Sequence, residues 1–225
     1  MDAQLSTGQA LRKRLWKQIV QAKVGMQAAV IGMRDGPEAP LRRLVAKVRS
    51  GDPSNIEGQA ARLYWGLLFG KSFRRDRQAE GCNAMLNYGY TVLRAIVARQ
   101  VMAAGLHPSI PLHHANEVNA MRLVDDLMEP FRPLVDIWVA RLLDRGTENL
   151  DPDCRHTLAL LGTRSVHTQF GVSPVNMVVQ RLVMSLAQCF EAIASKLELP
   201  ACDRACLASI WDEPYAQGDH DEEAG

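Results

Sequence analysis

Apolar residues along this chain recur three and four positions apart almost everywhere and alternate almost nowhere, which restricts the chain to packed helices. Leu11, Leu15, Ile19 or Val20, and Val24 form one stripe; Leu41, Leu44, Val45 and Val48 form another, stopped by Gly51. Asp52 with Pro53 can cap and open a helix through "IEGQAARLYWGLLF" that ends near Gly70. A long helix is predicted in "NAMLNYGYTVLRAIVARQVMAAGL", another in "LVDIWVARLLDRG" as far as Gly146, and a short one in "DPDCRHTLALLG". Ser173 and Pro174 begin the last, "VNMVVQRLVMSLAQCFEAIASKLEL". The predicted fold class is all-α, with about eight or nine helices. Neither an internal repeat nor a glycine-rich phosphate loop is present in the sequence.

A chain of 225 residues, 47% hydrophobic, can bury one substantial core. One helical domain is expected over residues 1–211, followed by the tail 212–225, "DEPYAQGDHDEEAG", which has the composition of a disordered end. No apolar run approaches transmembrane length, and "MDAQLSTGQALRKRLWKQ" lacks the apolar centre of a signal peptide, so a soluble cytoplasmic protein is expected. Cys82, Cys154, Cys189, Cys202 and Cys206 are too scattered for a disulfide scaffold and read as reduced thiols. The formal net charge of +1 hides an asymmetry: residues 1–80 carry 15 Lys and Arg against 7 Asp and Glu, while 81–225 carry 11 against 18. Basic clusters in "LRKRLWKQ", "LRRLVAKVR" and "KSFRRDR" could follow a phosphate backbone, although clusters of this size are commonly solvated faces.

The stretch "HHANEVNAMRLVDDLMEPFRP", His113 to Pro133, concentrates two histidines and four acids. Val118, Met121, Val124 or Leu123, and Leu127 or Met128 mark a buried helical stripe, with Asn119 as its N-cap. Asp125 and Asp126 then lie four and three residues before Glu129 and share its face, where like charges repel in a plain surface helix. A straight helix would hold His114 about 22 Å from Glu129, so the histidine can join the acids only from outside that helix. Gly105, Pro108 and Pro111 allow the chain to turn back. Pro130 disfavours helical geometry at Glu129 and predicts a kink there.

Glu57 sits one turn inside the helix that contains Ala60, Ala61, Tyr64, Leu67 and Leu68. It is either an acid favoured by the helix dipole or a carboxylate projecting toward His114 and Glu129 on other helices. Carboxylates with one imidazole form an open, hard ligand set suited to Mn2+ or Mg2+, and the imidazole tilts the choice toward manganese.

"NIEGQAARLYWGLLFGKSFRRDR" and "NAMLNYGYTVLRAIVARQVMAAGLHPSIPLHHANEVNAMRLVDDLMEPFRPLVD" together resemble the CRISPR adaptation integrase, most closely its type II versions. The likeness is strongest from Gly51 to Asp136 and weaker on either side. It implies a multi-helix catalytic domain with the metal site between helices. Glu57, His114 and Glu129 match the family's catalytic and metal positions, Asp126 matches a further acid near the site, and His113 packs or faces solvent. The metal would be Mn2+ or Mg2+. The implied activity is that of a metal-dependent DNA endonuclease and integrase, which joins 3′-hydroxyl DNA ends to the CRISPR repeat by transesterification. Arg74, Arg75 and Arg77 are candidates for phosphate contacts; Asn83, Asn87 and Tyr88 are candidates for supporting or packing roles. The implied partners are double-stranded DNA, as prespacer and repeat, a second copy in a homodimer, and a small ferredoxin-like adaptation protein. No membrane is implied.

Two departures qualify the resemblance. Members of the family usually begin with a small β-rich domain, and no alternating strands precede the first predicted helix here. Pro111 stands where the family commonly has glycine, which bears on the loop that presents His114. The alternative expectation is therefore a truncated, non-catalytic subunit for DNA binding or assembly.

Overall fold

The computed structural model describes residues 2–116, 118–168, 171–200, 203, 204, 207 and 210. Its helices are α1 (Asp2–Ser6), α2 (Gln9–Met33), α3 (Ala39–Val45), α4 (Ile56–Phe69), α5 (Cys82–Ala103), α6 (Arg122–Met128), α7 (Arg132–Asp144), α8 (Pro152–Ala159) and α9 (Val175–Phe190). A 3-10 turn, Glu129–Phe131, joins α6 to α7, and another, Leu160–Thr163, follows α8. Strands β1 (Ser165–Thr168) and β2 (Gly171–Pro174) form one antiparallel hairpin with Ser165 opposite Pro174. The expected helical fold is present, and the hairpin is its one addition among the described residues.

Two long helices organise the core. The second half of α2 is buried on every side, from Ala22 to Gly32, because α3, α4, the Glu129–Phe131 turn and α7 pack around it. Helix α5 packs against α6, α7, α8 and α9. The α6–turn–α7 segment thus lies between the two, and Pro133 to Leu142 are all buried. At Gly89 the α5 backbone comes so close to α7 that an added Cβ would lie 2.4 Å from Val135 Cγ1.

The start of α4 is built by a tight turn. Gly51 and Asn55 take positive φ, 77° and 48°, as does Asp52 between them. This places the Asp52 carboxylate under the amides of Ile56 and Glu57, at 2.9 and 3.0 Å, while Asn55 Oδ1 accepts from Gly58 N. The N-cap is therefore Asn55 rather than the expected Asp52, whose carboxylate holds the first two amides from the turn; Pro53 stays in that turn and the helix opens at Ile56.

Three other expectations are corrected. Val118 is 94% exposed, and α6 begins at Arg122, with Asn119 bonded outside it rather than capping it. Helix α9 stops at Phe190, where the chain folds back so that Ile193 N reaches Gln188 O and Leu197 N reaches Gln18 Oε1. Glu129 keeps α-helical angles despite Pro130, and the break takes the form of the 3-10 turn. Cys82, Cys154 and Cys189 are free thiols, with burial pushing Cys82 up to about 12 and Cys154 to about 11. Cys202, Cys206 and the acidic tail lie outside the described residues. Among the described residues no helix is long and apolar enough to cross a membrane.

Candidate metal centre

Glu57 and Glu129 approach one point from different elements. Glu57 stands in the first turn of α4, and Glu129 opens the turn between α6 and α7. Between them lies Lys23 of α2, whose Nζ is 2.6 Å from Glu57 Oε1 and 2.5 Å from Glu129 Oε2. Burial presses the Lys23 pKa down, but the two carboxylates outweigh it and hold the ammonium charged above its ordinary range. Burial likewise raises Glu129, yet Lys23 and Arg132 overcome it and keep the carboxylate ionised. Arg132 Nε lies 2.9 Å from Glu129 Oε1, so each oxygen of this buried acid faces a cation.

His114 reaches the same cavity from a loop. Its backbone is pinned by Asp126, a fully buried carboxylate that accepts from Leu112 N at 2.7 Å, His113 N at 3.1 Å and His114 N at 3.4 Å. The same carboxylate engages His114 Nδ1 at 2.5 Å. This contact favours the tautomer that leaves Nε2 as the free ring nitrogen, the usual arrangement for a ligating histidine. The hydrogen bond to Asp126 raises the His114 pKa, burial opposes it, and the charges of Asp126, Glu129 and Glu57 add to the rise. At its other end the loop is gripped by Gln4 of α1, which bonds the backbone of His107 and Ile110. Pro111 O accepts from Arg12, and His113 stacks on buried Trp16, with ring centroids 4.5 Å apart.

The like charges on α6 are separated by their partners. Asp125 pairs with Arg94 at 2.7 Å, with Asn119 bridging both, while Asp126 turns to the histidine loop. Below the site, Asp136 is buried and accepts from the hydroxyls of Tyr64, at 3.0 Å, and Tyr90. Burial pushes the Asp136 carboxyl up to about 7 despite both bonds.

His114 lines three hollows, two of which lie on the side of the acids. One, about 250 Å³, is lined by Lys23, Gln27, Trp65, Glu129 and Arg132 among others; the second, about 620 Å³, includes Asn116, Asn119, Arg94 and Thr91. Arg75, Arg77, Tyr90 and Arg132 line both. Arg75 is held by Asn83 Oδ1 at 2.8 Å and Asn87 Oδ1 at 2.5 Å, and Arg75 and Arg132 both lie over the Tyr90 ring. Asn83 and Asn87 also bond the backbone of Arg74 and Arg77 and so fix the segment 74–77. The Arg74 guanidinium instead bonds the carbonyls of Lys71 and Phe73, and Tyr88 packs against the core. Sequence reasoning thus selected Tyr88 where Tyr90 lines the hollows.

The donor set fits a divalent cation in part. Two carboxylate oxygens already converge on a buried ammonium, and His114 lines the same hollow as Lys23 and Glu129. Yet no three His, Cys, Asp or Glu side chains among the described residues stand close enough to form a ready ligand cluster.

The family model described as CRISPR associated protein Cas1 matches residues 2–157. The chain belongs to the Cas1 family. It is 36% identical over 209 residues to the CRISPR-associated endonuclease Cas1 of Neisseria meningitidis serogroup C (strain 8013), covering 89% of this chain and 67% of that protein. It shares its fold with a casposase bound to integration product, at TM-score 0.70 and 24% identity, over 87% of this chain and 66% of that one. A CAS1 protein from Thermotoga maritima gives TM-score 0.72 at 16% identity, over 82% and 67% of the two chains. This Cas1 chain therefore spans about two thirds of the length of these proteins.

Proposed function

We propose that this chain is the catalytic domain of a metal-dependent DNA integrase and endonuclease of CRISPR spacer acquisition, with Glu57, His114 and Glu129 as metal ligands. The observation that carries the proposal is the approach of Glu57 and Glu129 from separate elements onto one buried cation, beside a histidine oriented by Asp126. A bound Mn2+ or Mg2+ would favour ionisation of the attacking 3′-hydroxyl and neutralise charge on the phosphate. In the transesterification one P–O bond forms as another breaks, so the protein's own work is positioning. Arg75, Arg77 and Arg132 line the hollows beside the site, where a phosphate backbone can lie against them. Asp126 holds the His114 ring through Nδ1 and keeps its loop in place. The partners proposed are double-stranded DNA as prespacer and repeat, a second copy of the chain, and a small ferredoxin-like adaptation protein.

The test is strand transfer on a labelled branched DNA that mimics the integration intermediate, with Mn2+. Native protein is expected to reseal the DNA, and His114→Ala and Glu57→Gln to lose at least about 100-fold in rate, on the scale of removing a group that stabilises the transition state. Equal rates from native and variant proteins of unchanged helical spectrum would leave a DNA-binding or assembly subunit without chemistry.

A further inference from the structure

The mechanism above leaves Lys23 unexplained, because a buried ammonium occupies the point on which the two proposed ligand carboxylates converge. Lys23 is 9% exposed and rises from the part of α2 that is enclosed by neighbouring elements, and its side chain lines the hollow of about 250 Å³. Its Nζ touches both Glu57 and Glu129. With Arg132 on the other oxygen of Glu129, the group holds two carboxylates against two cations and is formally neutral. The group itself therefore carries no net charge, and the positive charge beside it is that of Arg75 and Arg77. A divalent cation added beside the ammonium would crowd like charges at van der Waals range in a low-dielectric pocket. One of the two cations must leave the carboxylates.

A second observation shows where the amine can go. Gln27 lies one turn further along α2, on the same face as Lys23, and lines the same cavity. Its Oε1 is buried and has no hydrogen-bond partner. An orphaned buried acceptor costs free energy, and a state in which a donor reaches it recovers that cost. A lysine side chain four residues away can rotate from the carboxylates to that oxygen without leaving the cavity.

We infer that Lys23 is a positioning residue that holds Glu57 and Glu129 together in the metal-free protein and is displaced by the divalent cation toward Gln27 Oε1. This rests on the reading of Glu57 and Glu129 as metal ligands. The exchange sets the charge of the centre: a divalent ion in place of the ammonium turns a neutral group positive and leaves the displaced amine in the hollow lined by Arg75 and Arg132. The group of carboxylates thus adds its own attraction for a phosphate to that of Arg75 and Arg77 only after the metal has entered.

The experiment is Mn2+ binding, measured by calorimetry on the whole chain without DNA. Lys23→Met removes the competitor and leaves two carboxylates against the single charge of Arg132, so the dissociation constant is expected to fall about tenfold or more. Gln27→Leu removes the second berth, and the constant is expected to rise several-fold. In the native protein, labelling of Lys23 by an amine-acylating reagent, read by mass spectrometry, is expected to be slow without metal and faster when Mn2+ saturates. This last measurement needs no variant to fold. Mn2+ that binds equally to native protein and to folded Lys23→Met, with Lys23 labelling unchanged by metal, would overturn the displacement and leave the metal site standing. No Mn2+ binding to native protein, or binding unaffected by Glu129→Gln, would overturn both.

Discussion

Asp126 shows how much can rest on one side chain. It is fully buried, accepts three backbone amides and orients the ring of His114. Asp126→Ala strands those donors, so a loss on the order of 3 kcal/mol in unfolding free energy is expected by denaturant titration, together with loss of strand transfer. A fall below about 0.5 kcal/mol would show that the loop is held by other means. The resemblance singled out Glu57, His114, Glu129 and Asp126 as candidates, yet not the contacts of Asp126, since a carboxylate's acceptance of amides twelve to fourteen positions away leaves no local pattern. Lys23 was missed because a single lysine in a basic amino-terminal region reads as solvated. Its signal was present, however: Ile19, Lys23, Gln27 and Ile31 follow one another at spacing four, a polar pair set into an otherwise apolar line. Arg75 and Arg77 fell within the basic cluster that charge suggested, and Arg74 beside them turned to the backbone of its own loop.

Among the elements, the close crossing of α5 and α7 is the most demanding. Gly89→Ala drives a methyl into Cγ1 of Val135, a β-branched side chain with little rotamer freedom, and a destabilisation of roughly 1–3 kcal/mol is expected by thermal or chemical unfolding. A neutral outcome would mean that the helices are not so closely apposed. Beneath the same crossing, Asp136 binds its proton more tightly folded than unfolded, with its pKa raised from 3.8 to about 7. Its contribution to stability is fully present below about pH 4 and fades as pH rises through about 7. Asp136→Asn removes that titration, so the variant's stability relative to native is expected to improve as pH goes from 4 to 7; a constant difference across that range would refute the raised pKa. Element type was readable from apolar spacing, whereas ends were set by contacts the spacing cannot encode. Helix α9 stops at Phe190 amid good helix formers because Gln18 and Ser185 capture the amides of Leu197 and Glu198. The hairpin strands, four residues each, are too short to register as alternation.

For the molecule as a whole, charge placement matters more than charge sum. A net charge of +1 says little, but Arg75, Arg77, Arg94 and Arg132 surround the hollow at His114. Arg75→Gln is expected to weaken DNA binding across unrelated sequences and to reduce the slope of log affinity against log salt by about 1, measured by fluorescence anisotropy. An unchanged slope would remove Arg75 from the phosphate path. The helical bundle itself was legible from the sequence, and the layering of α2 and α5 about the α6–α7 segment was not, since it follows from which faces meet rather than from how each is patterned. That layering has one further outcome. Lys23, Glu57 and Glu129 belong to α2, to α4 and to the turn after α6, elements brought together only when the bundle closes. A chain still being synthesised, or one that has begun to unravel, carries all three side chains without the cluster they form, so the cluster lasts only as long as the fold is complete.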